Sequence, residues 1–324
     1  MFLNREDAIE FMNKYGVLQK PFLFIIDFEQ KNIFLSELQN ISPNVLFDIN
    51  GQKNYTAKDL HHSKIELKKY PVSFDKYKTA FEKVSKEIYD GNTYLLNLTF
   101  PTSIEINLTL EETFFISRAK YKLLFNDDFV VFSPECFIKI IDGYIYSYPM
   151  KGTIDGAIAN AEAIILADRK EEAEHFTIVD LIRNDLSIVA KNVHVEKFRY
   201  VEKINTHEKT LLQVSSLIKG SLENNYQQSI GNLIFELLPA GSITGAPKKK
   251  TVEIIKSVEQ TARGFYTGIF GIFDGHNLDS SVMIRFIEKR NDEYIFKSGG
   301  GITYMSNVQS EYQELIDKVY VPIS

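Results

Sequence analysis

Between residues 22 and 38, two short apolar runs flank the polar stretch Asp27-Phe-Glu-Gln-Lys-Asn32, which predicts a β-hairpin near the start of the chain. Residues 40–72 mix Asn, Lys, His and Pro without a strong period and read as an irregular connection. From Ser73 the pattern sharpens. Ser73 can cap a helix in which Phe74, Tyr77, Phe81, Val84 and Ile88 recur at helical spacing, and Asp90-Gly91-Asn92 ends it. β-rich stretches follow at 121–132, 136–148, 266–274, 278–289 and 293–298, with helices expected near 157–182, 206–219, 248–258 and 306–320. In the last helix, Ser306 and Gln309 form a capping-box pattern, and Val308, Tyr312, Leu315, Ile316 and Val319 supply an apolar stripe. Strands in hairpin-like succession with helices outside them give an α+β class built on antiparallel sheets. With no internal repeat and no low-complexity linker, the expected organisation is an N-terminal region, 1–72, packed on one continuous core, 73–324.

Composition narrows the partners. The chain has 324 residues, 44% hydrophobic and 25% charged, which is enough for a substantial core and ordinary for a soluble protein. A formal charge of −6 gives no general attraction for nucleic acid or an anionic membrane, so an anionic ligand needs a local cluster of donors. Cys136 is the only cysteine, which excludes an intrachain disulfide and a cysteine zinc cluster. The N-terminus lacks the apolar region of a secretory signal, and no apolar run is long enough to span a bilayer. A soluble, cytoplasmic protein is the expectation.

Four constellations carry candidate chemistry. Leu238-Pro-Ala-Gly-Ser-Ile-Thr-Gly-Ala-Pro-Lys248 runs into a helical pattern, and Pro247 suits its first turn. The backbone N–H groups of Gly245 and Ala246 then point outward as an anion pocket, or the segment is a plain turn before a helix; it does not fit a Walker loop. The cluster Gly299, Gly300, Gly301 either lets backbone approach a ligand or forms a bulge. Two acidic pairs, Glu171 with Glu174 and Glu311 with Glu314, are each spaced to share a helical face. They suit Mg2+, which takes one or two carboxylates plus substrate oxygens, or they are solvated acidic faces. Ser133-Pro-Glu-Cys-Phe137 and Tyr148-Pro-Met-Lys-Gly-Thr-Ile154 place Glu135 and Lys151 at strand ends. There a desolvated lysine can act as a nucleophile and a buried glutamate as a general acid; the alternative for Lys151 is a surface turn. Asp180, Arg183 and Asp185 read as a structural salt-bridge network at a helix end.

In this order, from about Gly91 to Val319, the segments resemble the chorismate-utilising family that holds anthranilate synthase component I, aminodeoxychorismate synthase component I and isochorismate synthase. The resemblance implies two antiparallel β-sheets packed together and flanked by outer helices, with the site in a cleft. It assigns substrate carboxylate binding to Gly245, Ala246, Lys248, Tyr266, Gly268, Arg285, Gly299, Gly300 and Gly301. It assigns Mg2+ to Glu171, Glu174, Glu311 and Glu314, with Glu174 and Glu314 as direct ligands and Lys318 helping to hold the bridging carboxylate. The lysine of Pro-x-Lys-Gly-Thr, here Lys151, is similar to the amine-forming members that make aminodeoxychorismate, where the relatives carry alanine. The implied chemistry is protonation of the departing 4-hydroxyl by Glu135, addition of Lys151 to the ring and its displacement by ammonia. Ammonia is expected from a glutamine amidotransferase subunit or from solution. Leu95 departs from the glutamine common in ammonia-using members, and Gln213 aligns with a second variable position. The alternatives are anthranilate synthase component I and a catalytically silent chorismate- or tryptophan-binding regulatory subunit.

Overall fold

The computed structural model describes residues 2–56, 58, 65–205 and 210–323. Helix α1 (Arg5–Val17) comes first, with Asn4 accepting the Asp7 N–H as its cap, and buries Ala8, Met12 and Gly16. The expected hairpin follows as β1 (Phe22–Ile26) and β2 (Ile33–Glu37). The irregular connection expected over 40–72 contains strands among its described residues, namely β3 (Val45–Ile49), β4 (Gln52–Lys53) and β5 (Leu67–Tyr70). Val45, Phe47 and Ile49 alternate inward, a five-residue signal too short to stand out among polar neighbours.

Helix α2 (Phe74–Tyr89) starts at Ser73, whose side chain accepts the Lys76 N–H. The chain continues through β6 (Leu95–Ile106), α3 (Leu110–Ile116), β7 (Tyr121–Phe125), β8 (Phe129–Ser133), β9 (Cys136–Ile141), β10 (Tyr144–Ser147) and β11 (Met150–Asp155). The helix expected over 157–182 is divided into α4 (Ala161–Ala167) and α5 (Arg169–Val189), with Asp168 capping the second. Two long strands follow, β12 (Lys191–Asn205) and β13 (Thr210–Ser221).

The helix expected over 206–219 is therefore a strand from Thr210 onward, while 206–209 lie outside the described residues. Leu211, Leu212, Val214, Leu217 and Ile218 fit either period, and pairing of β13 with β10, β11 and β12 decides the matter. Helix α6 (Ile230–Glu236), the short β14 (Gly245–Ala246) and α7 (Lys248–Glu259) lead to β15 (Ile269–Phe273) and β16 (Leu278–Val282). The chain then runs through β17 (Phe286–Arg290) and β18 (Glu293–Ile302) to α8 (Val308–Asp317). The cap of α8 is Asn307, which accepts from the Gln309 and Ser310 N–H groups, and not the expected Ser306.

Among the described residues the strands form two nine-stranded sheets whose pairings are antiparallel. One runs β11-β13-β10-β9-β16-β15-β1-β2 with β12 on β13; the other runs β14-β6-β18-β17-β8-β7-β3-β4 with β5 on β6. Strand β1 shows the layering. Phe22, Phe24 and Ile26 pack with α1, α5 and α6 outside the first sheet, whereas Leu23 and Ile25 join Phe47, Leu123, Phe270 and Phe286 between the sheets. Outside the second sheet, α2, α7 and α8 cover Leu96, Leu98 and Phe100, and α3 covers Val130 and Phe132. The result is the expected α+β arrangement of two packed sheets with outer helices. Among the described residues no helix is long and apolar enough to cross a membrane.

Candidate active site

A cavity of about 440 Å³ is lined from both sheets and from α5 and α8. That volume suits one small ligand. Glu135, Lys151, Glu171, Glu174, Tyr266, Arg285, Gly299, Gly300, Gly301, Glu311, Glu314 and Lys318 all line it, although the sequence disperses them over more than 180 positions. Four cations, Lys151, Arg285, Lys297 and Lys318, face five carboxylates there.

Lys151 lies on β11 where the pairing with β13 shifts register between Lys151 and Thr153. Gly152, at φ +74°, permits this bulge, which a residue with a Cβ would strain. Lys151 Nζ donates to Glu174 Oε2 at 3.1 Å. Burial pulls its pKa down, but the charge and hydrogen bond of Glu174, followed by Glu171 and Glu314, outweigh burial and leave the amine above its ordinary value. Desolvation alone would depress the amine, but the desolvating site also holds the acids.

Glu135 occupies the turn from β8 to β9, where its N–H donates to Ser133 Oγ at 3.1 Å. Its carboxyl accepts a short hydrogen bond from Ser242. Burial raises its pKa, against lowering by Ser242, Lys151, Lys318 and Arg285.

Glu171 and Glu174 on α5 and Glu311 and Glu314 on α8 approach the cavity from different helices. Gly300 makes room between the α8 pair and the sheet, since a Cβ there would lie 3.3 Å from Glu311 Oε2 and 3.6 Å from Glu314 Oε1. Among the described residues no three acidic, histidine or cysteine side chains form a ready ligand cluster. Instead Glu174 pairs with Lys151, and Glu314 pairs with Lys318 at 2.6 Å. All donors are hard carboxylate oxygens, the set that Mg2+ takes together with water and substrate. Lys318 also donates to Gly299 O at 2.8 Å, which ties the end of α8 to β18.

Arg285 sits in the left-handed region, φ +54°, between β16 and β17, and its guanidinium lies 5.0 Å from the centre of the Tyr320 ring. Among the described residues its buried Nε has no hydrogen-bond partner. A cavity-lining guanidinium with an unpartnered Nε on a left-handed backbone suits capture of a carboxylate.

Four expected substrate contacts do not line this cavity: Gly245, Ala246, Gly268 and Lys248. Gly245 and Ala246 are spent on the β14–β6 pairing, where a Cβ on Gly245 would fall 1.9 Å from Leu95 O. At Gly268 a Cβ would meet Ile26 O at 2.1 Å. Lys248 turns away to Asp185 at 2.8 Å and to Leu237 O at 3.0 Å. Pro247 is the residue before α7, and in this geometry the helix start presents no anion pocket to the cavity. Of the expected network of Asp180, Arg183 and Asp185, the first two pair at 2.7 Å, whereas Asp185 pairs with Lys248 instead.

Ser242, Asn97 and Lys297 also line the cavity, beyond the residues that the resemblance singles out. Asn97 is a polar break in the apolar run of β6, and among the described residues its buried Oδ1 has no partner. Lys297 is buried, pairs with Glu288 at 3.1 Å and donates to Arg263 O at 2.8 Å. Leu95 and Gln213 also line the cavity.

A cavity of this size, with cations and acids converging on it from two sheets, defines an enzyme site for a small anion. The sequence profile described as chorismate binding enzyme matches residues 11–324, and the chain belongs to that family, whose members act on chorismate. The chain is 52% identical over 317 residues to an uncharacterized PabA-like protein of Pasteurella multocida, covering 97% of this chain and 98% of the other. It is 31% identical to aminodeoxychorismate synthase component 1 of Bacillus subtilis, covering 77% of this chain and 55% of that one. Anthranilate synthase component I from Streptococcus pneumoniae superposes with a TM-score of 0.67 at 27% identity, covering 81% of this chain and 60% of that one.

Proposed function

We propose that the chain catalyses Mg2+-dependent amination of chorismate by ammonia to 4-amino-4-deoxychorismate, as an aminodeoxychorismate synthase component I serving 4-aminobenzoate and folate synthesis. The observation that carries this reading is Lys151, whose amine reaches the cavity that Glu135 also lines. An amine there can add covalently, and covalent addition divides one difficult substitution into two.

In the proposed sequence the neutral Lys151 amine attacks C2 of the ring, the double bond moves, and the C4 hydroxyl leaves as water with the Glu135 proton. Ammonia then forms the new bond at C4, the double bond returns, and Lys151 departs as a neutral amine. The new ammonium passes its extra proton to Glu135, so the net change is chorismate plus ammonia to product plus water. Arg285 and the backbone of Gly299, Gly300 and Gly301 would hold the substrate carboxylates, and Tyr266 would close the wall beside them. Glu171, Glu174, Glu311 and Glu314 would hold Mg2+, with Lys318 steadying Glu314. The cation would supply electron withdrawal through a substrate carboxylate.

Cys136 is buried and its thiol is pushed up to about 12 by burial, which unfits the sole cysteine as a glutaminase nucleophile. Ammonia would come from a separate glutamine amidotransferase subunit or from solution.

Mass spectrometry of purified protein incubated with chorismate, Mg2+ and ammonium tests the reading. 4-Amino-4-deoxychorismate is expected. Anthranilate with pyruvate would replace the proposal by the anthranilate synthase reaction, and binding without turnover would leave a silent regulatory subunit.

A further inference from the structure

We propose that Ser242 is a positioning residue for the general acid: its hydroxyl donates to Glu135 Oε1 and so reserves the other carboxyl oxygen for the transferable proton. This rests on the function proposed above. Among the described residues, Ser242 is the one side chain that hydrogen-bonds the Glu135 carboxyl. A carboxylic acid whose Oε1 already accepts a hydrogen bond carries its own hydrogen on Oε2, and that oxygen then has one direction in which to donate.

Both ends of this contact are fixed. On the Glu135 side the backbone carbonyl accepts from Ser281 Oγ at 2.7 Å and from the Val282 N–H at 3.3 Å. On the Ser242 side, the short turn Gly241–Ile243 is clamped by Arg263, which donates to Ile243 O at 3.0 Å. Thr244 Oγ1 adds a bond back to Ala240 O at 2.7 Å. Gly241 presses so closely on Asp185 that a Cβ would lie 2.7 Å from Oδ2, the same oxygen that pairs with Lys248. The Asp185–Lys248 pair therefore buttresses the turn from behind, which gives this motif lysine a role away from the cavity. A rigid turn facing a rigid strand entrance leaves the carboxyl rotamer to the Ser242 bond.

The charged and titratable groups facing Glu135 are Lys151 on β11, Arg285 between β16 and β17, Lys318 at the end of α8, and the Tyr266 phenol. None of the three cations makes the direct bond that Ser242 makes.

The test is kcat and KM against pH for wild type, Ser242→Ala, Ser242→Thr and Glu135→Gln, with Mg2+ and ammonium. Ser242→Ala is expected to lower kcat about 10- to 100-fold with KM changed less than about threefold, the pattern of a group that acts in the transition state. Its alkaline limb should move to higher pH, because the lost hydroxyl stabilised the ionised carboxylate. Ser242→Thr should restore most of kcat and the wild-type limb. Unchanged kcat and limb in Ser242→Ala would overturn the proposal, as would a threonine variant that restores neither. If Glu135→Gln itself turns over normally, the acid assignment falls; if it is inactive while Ser242→Ala matches wild type, only the role of Ser242 falls.

Discussion

Lys151 Nζ lies 3.1 Å from Glu174 Oε2, so the proposed nucleophile and a proposed metal ligand hold each other. The two side chains are 25% and 6% exposed, and the exposed part of Lys151 faces the cavity. The pair keeps the amine protonated in the protein alone, which opposes the nucleophilic role. A cation drawn to the glutamates would compete for Glu174 and loosen the amine.

Mg2+ should therefore raise the rate at which an amine-selective acylating reagent modifies Lys151, by several-fold at neutral pH. Exposed Lys191, paired only at the surface with Glu223, serves as the internal reference. Peptide mass spectrometry reads both sites in one digest. Equal labelling with and without Mg2+ would separate Lys151 from the metal site.

Arg285→Ala should raise KM for chorismate roughly a hundredfold, since losing a charge-assisted carboxylate contact commonly costs about 2–3 kcal/mol. The unpartnered Nε and the cavity-lining position motivate this. Steady-state kinetics showing an unchanged KM would put the ligand elsewhere.

Legibility followed the strength of local signals. The hairpin at β1 and β2, the capped α2 and the carboxylate pairs of α5 and α8 were readable because each is set by a few adjacent residues. Strand β13 was misread because its apolar residues fit both periods and only its three strand partners choose. The convergence on one cavity came from the family resemblance, since spacing alone left each acidic pair open to a surface reading. Gly245, Gly268 and Lys248 show the limit of that transfer: a motif can be required for backbone approach or for a buttress without its side chains or N–H groups reaching the cavity.

Gly245→Ala should accordingly destabilise far more than Gly91→Ala. At Gly245, φ is +127° and a Cβ would meet the Leu95 carbonyl, so strain and overpacking should cost at least about 2 kcal/mol. Gly91, at φ +76°, has nothing within 4 Å, and backbone strain alone should cost about 1 kcal/mol. Urea denaturation midpoints compare the two. Equal losses would mean that β14 relaxes away from β6.

The pH dependence of turnover follows from Glu135. Burial lifts its carboxyl above the ordinary carboxylate range despite Ser242 and the nearby Lys151, Lys318 and Arg285. The acid form is the active one, so the Glu135 share of the rate should be full below this raised pKa and fall as pH rises through it, by about tenfold per unit beyond. The opposite limb belongs to the amines, because Lys151 and ammonia attack only when neutral. Together they give a bell in kcat/KM, and holding the concentration of neutral ammonia constant removes its share of the rising limb. Glu135→Gln keeps the size and a hydrogen-bonding carbonyl but cannot deliver a proton. It should lower kcat by about 10²- to 10⁴-fold and abolish the alkaline fall. A glutamine variant that retained both the rate and the alkaline limb would show that another group protonates the leaving hydroxyl, and would take with it the assignment of Glu135 as the acid.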